Sequence, residues 1–179
     1  MICIENLSKD MCEVVSKTES EDCIIISINE VNGALANIAS NKHIKDVLYL
    51  RFDDLTKLQV KQIKKPSRDY TLFNLDFAKQ IKDFSDKWVN KGINKIIVHC
   101  AAGVSRSGAV ACTLSRYYNG SDISYFSKGC VYPNELVYEL MCKALDLNFN
   151  LKELKRLKRY SAKVASSKFR MNKGYIELC

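Results

Sequence analysis

The stretch "HCAAGVSRSG", residues 99–108, follows the apolar run Lys95–Val98 and decides how the chain is read. A cysteine stands at the end of a buried strand, small residues follow it, and an arginine closes the segment six positions later. A strand ending at His99, a loop from Cys100 to Arg106 and a helix beginning near Ser107 would aim several backbone N–H groups and the positive end of a helix dipole at one point. That point attracts an anion. Ala101, Ala102 and Gly103 leave the turn unobstructed, and Gly103 can adopt a positive φ. The loop 101–106 (Ala101, Ala102, Gly103, Val104, Ser105 and Arg106) is therefore expected to wrap its backbone around a phosphate.

Two side chains add chemistry to this cradle. The Cys100 thiol lies at its base, where the same field would lower its pKa from about 8.5 toward neutrality and make it a thiolate nucleophile. Arg106 offers a planar fork of donors able to bind two phosphoryl oxygens and stays charged at any working pH.

The residues His99, Cys100, Gly103, Arg106 and Ser107 match the signature HCxxGxxR(S/T), so the chain resembles the cysteine-dependent protein tyrosine phosphatases, most closely their dual-specificity branch. The resemblance implies a phosphocysteine mechanism without metal or cofactor. Cys100 would attack phosphorus in line, and water would then hydrolyse the thiophosphate. It further implies that Ser107 hydrogen-bonds to the sulfur and helps the thiolate leave, while His99 orients the loop. It also implies an aspartate general acid on a loop upstream of the cysteine, because the departing ester oxygen needs a proton. The stretch "VLYLRFDDLTKL" supplies a strand Val47–Phe52 ending in two carboxylates, of which Asp54 is the expected general acid/base and Asp53 the alternate. Ends of parallel strands converge on one crevice, which would make this loop a neighbour of Cys100.

Other features of the resembled family are missing. There is no Trp-Pro-Asp acid loop, so strict phosphotyrosine selectivity does not carry over. The uncharged loop residues Ala101, Ala102, Val104 and Ser105 argue against a phosphoinositide substrate.

The rest of the chain fits a domain built around this loop. Short Ile/Val-rich runs at Ile2–Ile4, Cys23–Ile28, Val47–Phe52 and Ile96–Val98 read as buried strands. Helical stretches lie between them. The clearest begins at Asn74, carries Phe77, Ile81, Phe84 and Trp88 on one face and ends at Gly92. Others run from Ser107 to about Tyr118 and from Asn134 through "ELVYELMCKAL", with Asn134 as a structural N-cap. The last, "NLKELKRLKRYSAKV", sets Leu151, Leu154 and Leu157 in a stripe, and Lys152 to Arg159 read as its solvated face. Strands alternating with helices predict an α/β fold, a mainly parallel central sheet flanked by helices. At 179 residues the expectation is one domain over 1–160, with 161–179 as a C-terminal tail or extension.

Composition narrows the function classes. Hydrophobic residues make up 47% and charged residues 27%, which excludes disordered and fibrous chains. No apolar run approaches the roughly 20 residues of a membrane span. The acids in "MICIENLSKDMCEVV" do not suit a secretory leader, so a cytoplasmic location is expected. Eight cysteines form no compact framework and should be free thiols. With His43 and His99 the only histidines, no metal site is expected. Cys112 reads as core packing. A formal charge of +8 favours anionic partners. Three functions compete: a protein phosphatase acting on phosphotyrosine, and more broadly on phosphoserine and phosphothreonine; an RNA 5′-phosphatase; and a non-catalytic phosphopeptide-binding adaptor. The adaptor would need only the arginine and the amide cradle, not the nucleophile and acid. The basic stretch "KLQVKQIKKPSRDY", with Lys57, Lys61, Lys64, Lys65 and Arg68, reads as a solvated surface beside the acid loop. The sequence leaves the oligomeric state open.

Overall fold

A computed structural model describes residues 1–62 and 70–176, the side chains of Lys57 and of 169–176 excepted. Lys64, Lys65, Arg68 and Cys179 therefore lie outside the described residues.

Four parallel strands, β1 (Cys3–Ser8), β2 (Cys23–Asn29), β3 (Ile44–Arg51) and β4 (Lys95–Cys100), form one sheet in the order β1-β4-β2-β3. Every residue of β2 and β4 is buried, as apolar strands covered on both faces must be. The fold is thus the expected α/β class with a parallel central sheet.

Each helix starts or stops where a local group satisfies its end. Helix α1 (Lys9–Thr18) is capped by Ser8, whose Oγ accepts from the Met11 amide. A short helix α2 (Lys57–Gln62) lies within the basic stretch. Helix α3 (Leu75–Val89) opens on Asn74, which accepts from the Phe77 amide, and its chain turns away at Gly92 with φ +90°. Helix α4 (Arg106–Asn119) follows the signature loop and ends on Gly120 at φ +79°. The five-residue α5 (Ile123–Ser127) leads to α6 (Glu135–Ala144), where Asn134 Oδ1 accepts from the amides of Leu136 and Val137. Helix α7 runs Leu151–Ile176.

On one face of the sheet Ile24, Ile26, Ile96 and Val98 pack with Ala78 and Ile81 of α3, Leu114 of α4 and Met141 of α6. On the other face Ile25 and Ile97 meet Cys12 and Val15 of α1 in a smaller core. Truncating one of these fully buried isoleucines to alanine would cost about 2–5 kcal/mol, enough to threaten a marginally stable domain.

Two helical segments go beyond what the sequence reading named. The sequence reading placed no helix at 9–18, although Ser8 followed by Met11, Cys12 and Val15 carries both the cap and the apolar spacing. Residues 161–176, within the expected C-terminal tail or extension, continue α7. Ser161 is buried and donates to the Val131 carbonyl at 2.7 Å, and Lys168 Nζ reaches the Lys128 carbonyl at 2.9 Å.

No helix among the described residues is long and apolar enough to cross a membrane. The seven described cysteines are all free.

Candidate active site

The carboxyl ends of all four strands open on one edge of the sheet, and β4 carries Cys100 there, beside Ser8 of β1. The turn that follows is held from outside by its carbonyls. Lys9 N donates to Ala101 O at 3.1 Å, Asn6 Nδ2 donates to Gly103 O, Tyr132 N to Val104 O at 3.0 Å and Asn134 N to Ser105 O at 3.2 Å. With the carbonyls turned outward, no protein acceptor among the described residues takes the amides of Ala102–Arg106. Ser105 gives α4 no side-chain cap, so the helix also presents unpaired N–H groups.

Gly103 is required by two independent constraints. Its φ is +71°, and a Cβ there would lie 2.6 Å from the Leu7 carbonyl carbon and 2.7 Å from Ser8 N. The loop backbone lies directly against the end of β1, so only a glycine fits.

Cys100 is 2% exposed, at the floor of the loop, and the Ser107 hydroxyl donates to its sulfur at 3.1 Å. Arg106 is 3% exposed. Its Nη1 donates to the Phe52 carbonyl at 3.0 Å and its Nη2 lies 3.7 Å from Glu30 Oε1. Its Nε is buried with no hydrogen-bond partner, an unmet donor on a permanent cation. An anion seated among the loop amides would satisfy it.

The two candidate acids are placed differently. Asp54 is exposed, and its Oδ1 accepts from Ser105 Oγ at 2.8 Å and from Asn134 Nδ2 at 2.7 Å. Asp53 is 3% exposed. Its carboxylate accepts from the Thr71 amide at 3.0 Å, and its own amide donates to the Thr71 carbonyl at 2.8 Å. The neighbouring carboxylates thus divide into one on the rim of the loop and one built into the backbone of the turn.

His99 is fully buried. Its Nε2 lies 2.8 Å from Ser27 Oγ, which accepts from Asn29 Nδ2 at 2.9 Å, while Asn29 Oδ1 takes the Ala36 amide at 3.0 Å. Burial lowers its pKa below the ordinary imidazole value and so favours the neutral ring. Its contacts run through β2 to the loop after that strand, which fits an orienting part.

Three residues escaped the sequence reading. Asn6 fastens the signature loop to β1, Glu30 at the end of β2 faces Arg106, and Asn134 bonds Asp54 as well as capping α6. Asn134 carried a signal, since it was recognised as a cap. Asn6 and Glu30 carried none, because the partner of Asn6 lies 97 positions along the chain and that of Glu30 lies 76. Lys158 also departs from the expected wet face of α7. It is 7% exposed, pairs with Glu135 at 3.0 Å and sits 4.3 Å from the centroid of the Tyr132 ring.

Among the described residues no group of three or more His, Cys, Asp or Glu side chains is arranged to hold a metal ion.

No protein-family model and no curated protein sequence matches the chain. Solved structures do. A human tyrosine phosphatase-like serine/threonine/tyrosine-interacting protein shares 21% identity over 77% of this chain and 84% of its own, with a TM-score of 0.48. The PTP-2 phosphatase of Cydia pomonella shares 20% over 74% and 76%, with a TM-score of 0.46. OH1 from the Orf virus, described as a tyrosine phosphatase with triple substrate specificity, shares 14% over 81% and 80%, with a TM-score of 0.43. It is in its signature loop, set between a parallel strand and a helix, that the chain resembles the cysteine-dependent protein tyrosine phosphatases.

Proposed function

We propose that the protein is a cysteine-dependent phosphatase that hydrolyses phosphotyrosine in proteins, with phosphoserine and phosphothreonine as further substrates. The observation that carries this reading is the buried, unpartnered Nε of Arg106 beside a turn in which the carbonyls of Ala101, Gly103, Val104 and Ser105 are engaged elsewhere. Guanidinium and amides together form a site for a tetrahedral oxyanion directly above a sulfur atom.

In this reading Cys100 Sγ attacks phosphorus in line and forms the S–P bond as the P–O bond to the substrate breaks. Asp54, protonated, gives its proton to the departing tyrosine oxygen. The resulting carboxylate then takes a proton from water as that water attacks the thiophosphate and releases inorganic phosphate. Ser107 donates to the sulfur as it leaves. Arg106 and the loop amides hold the equatorial oxygens throughout, where charge accumulates in the transition state. No metal or cofactor has a part in these steps. A cytoplasmic location is part of the proposal, supported by cysteine positions that form no compact disulfide framework in the sequence.

Hydrolysis of para-nitrophenyl phosphate in EDTA tests the proposal. The wild-type chain should turn over and be inhibited by vanadate, Cys100→Ser should be inactive yet still bind phosphate, and Arg106→Lys should lose about 10²–10³ in kcat/KM because a point charge cannot grip two oxygens at once. Full activity of Cys100→Ser overturns the reading. Phosphopeptide binding without any turnover by the wild type would instead make the chain an adaptor.

A further inference from the structure

We propose that a cationic notch beside the signature loop binds an anionic side chain of the polypeptide substrate, close in sequence to the residue being dephosphorylated. The inference rests on the phosphatase reading above and assigns a substrate preference to the same mouth.

Tyr132 sets the position of the notch. Its amide is bonded to the Val104 carbonyl, so it stands against the rim of the signature loop, and the residue is 50% exposed. Lys158 packs on that ring and is neutralised by Glu135. Around Tyr132, Lys158 and Glu135 opens a cavity of about 370 Å³ whose other lining residues are Lys155 and Arg159. Both are exposed, one helical turn apart on α7, and neither has a carboxylate partner among the described residues; Arg159 Nε reaches only the Lys155 carbonyl. Two unneutralised cations over an aromatic shelf make a receptor for one compact anion.

A second cavity of about 540 Å³ shares Glu135, Lys155 and Lys158 with the first and extends toward Thr56 and Leu58, just beyond Asp54. Leu58 is 65% and Leu151 40% exposed along it. An extended chain leaving the signature loop on the acid-loop side would meet apolar contacts here before its anionic side chain reached the notch. The same cavity is also lined by Glu135, the partner of Lys158, and by Glu139, so carboxylates interrupt its run of cations. The mixed charge therefore favours a peptide with a local acidic group over RNA, which needs an unbroken cationic track. The anion is an aspartate, a glutamate or a second phosphorylated residue.

The test compares kcat/KM across three phosphotyrosine peptide series: neutral flanks, paired aspartates, and a second phosphorylated residue. The added groups are stepped over about four positions on either side, since extended chain covers roughly 3.3–3.6 Å per residue. At one side the anionic peptides should exceed the neutral one by about five- to tenfold, as expected from two partly screened ion pairs. Lys155→Glu/Arg159→Glu, and more mildly Lys155→Ala/Arg159→Ala, should erase that ratio; both positions are exposed, and a thermal melt checks that the variants fold. Salt should shrink the ratio as the Debye length falls. A ratio near one in the wild type, or one unchanged in both double variants, overturns the notch. So does a 5′-triphosphorylated RNA that outcompetes every peptide and loses that advantage in the variants. Absence of any wild-type turnover of para-nitrophenyl phosphate would instead remove the phosphatase reading, a failure separable from loss of preference. Comparing aspartate with the second phosphate decides which anion the notch prefers.

Discussion

Asp54 and Ser105 are joined by a 2.8 Å hydrogen bond, so the loop after β3 and the loop after β4 are fastened to each other at the mouth of the site. Asn134 completes the arrangement by donating to the same carboxylate oxygen and to the Leu55 carbonyl. The candidate acid is thus held at the rim of the site by two donors, one from the signature loop and one from the start of α6.

This geometry separates the two neighbouring aspartates by outcome. Asp54→Asn should lower kcat on phosphotyrosine, a poor leaving group, by about 10²–10³ while affecting para-nitrophenyl phosphate much less. Asp53→Asn should act on stability instead, lowering the melting temperature by weakening the buried turn that Thr71 closes, a loss of about 1–3 kcal/mol. Steady-state kinetics and a thermal melt on both variants check the pair, and an inverted pattern would move the acid role to Asp53.

In the proposed mechanism the hydroxyl of Ser107 matters most when the sulfur leaves phosphorus, because it donates to that sulfur. Ser107→Ala removes the donor 3.1 Å from the sulfur without opening a cavity of any size. The expected result is a slower second step: rapid-quench or stopped-flow traces with para-nitrophenyl phosphate should show a burst close to one equivalent of enzyme, followed by a steady rate at least about tenfold below wild type. Equal slowing of burst and steady phases would place the hydroxyl in the first step.

The strand, loop and helix around Cys100 were legible because they are contiguous, and each announces itself locally: an apolar run, three small residues, then a helix that ends on Gly120. The same holds for α3, where Asn74, the apolar face and Gly92 all lie within one stretch. What stayed hidden depends on pairing between distant strands. Asn6 becomes a loop anchor only because β1 lies beside β4, and that register joins residues about ninety positions apart. Glu30 faces Arg106 only because β2 is the other neighbour of β4. The burial of Lys158 needed α7 packed beside Tyr132, and a run of lysines on a helix does not say which one a neighbouring element will cover.

Gly103 is where backbone conformation and packing coincide, and substitution there tests the cradle itself. Gly103→Ala would force an L-residue into positive φ, costing about 1–2 kcal/mol, and would also drive a methyl group into the Leu7–Ser8 peptide. The loop can relieve that contact only by moving away from β1, which breaks the Asn6 bond. The variant should melt at a lower temperature and bind vanadate at least about tenfold more weakly, measured by inhibition, because the amides no longer converge. Unchanged vanadate affinity in a folded variant would show that the loop does not need this conformation.

Cysteine chemistry offers the sharpest contrast, because the molecule carries its own controls. Burial pushes the Cys12 thiol up to about 12 and those of Cys23 and Cys142 up to about 11, with nearby carboxylates adding to the effect at Cys23 and Asp122 doing so at Cys142. Burial raises Cys112 well above its ordinary value. A thiol with a pKa of about 11 is ionised in only about one molecule in a thousand at pH 8, and the thiolate is the form that alkylates. Raising the pH toward 11 would increase that fraction, so these four should resist iodoacetate near neutrality and begin to label only on strong alkalinisation or unfolding. Cys100 should label at neutral pH at the same rate at which activity is lost, because the anionic reagent is drawn to Arg106 and the loop amides. Phosphate or vanadate should protect it by occupying that place. Peptide mapping after partial inactivation reads the outcome. Inactivation that tracks labelling of exposed Cys130, or that proceeds at an unchanged rate in saturating vanadate, would show that the sulfur at the end of β4 is not the one that reacts.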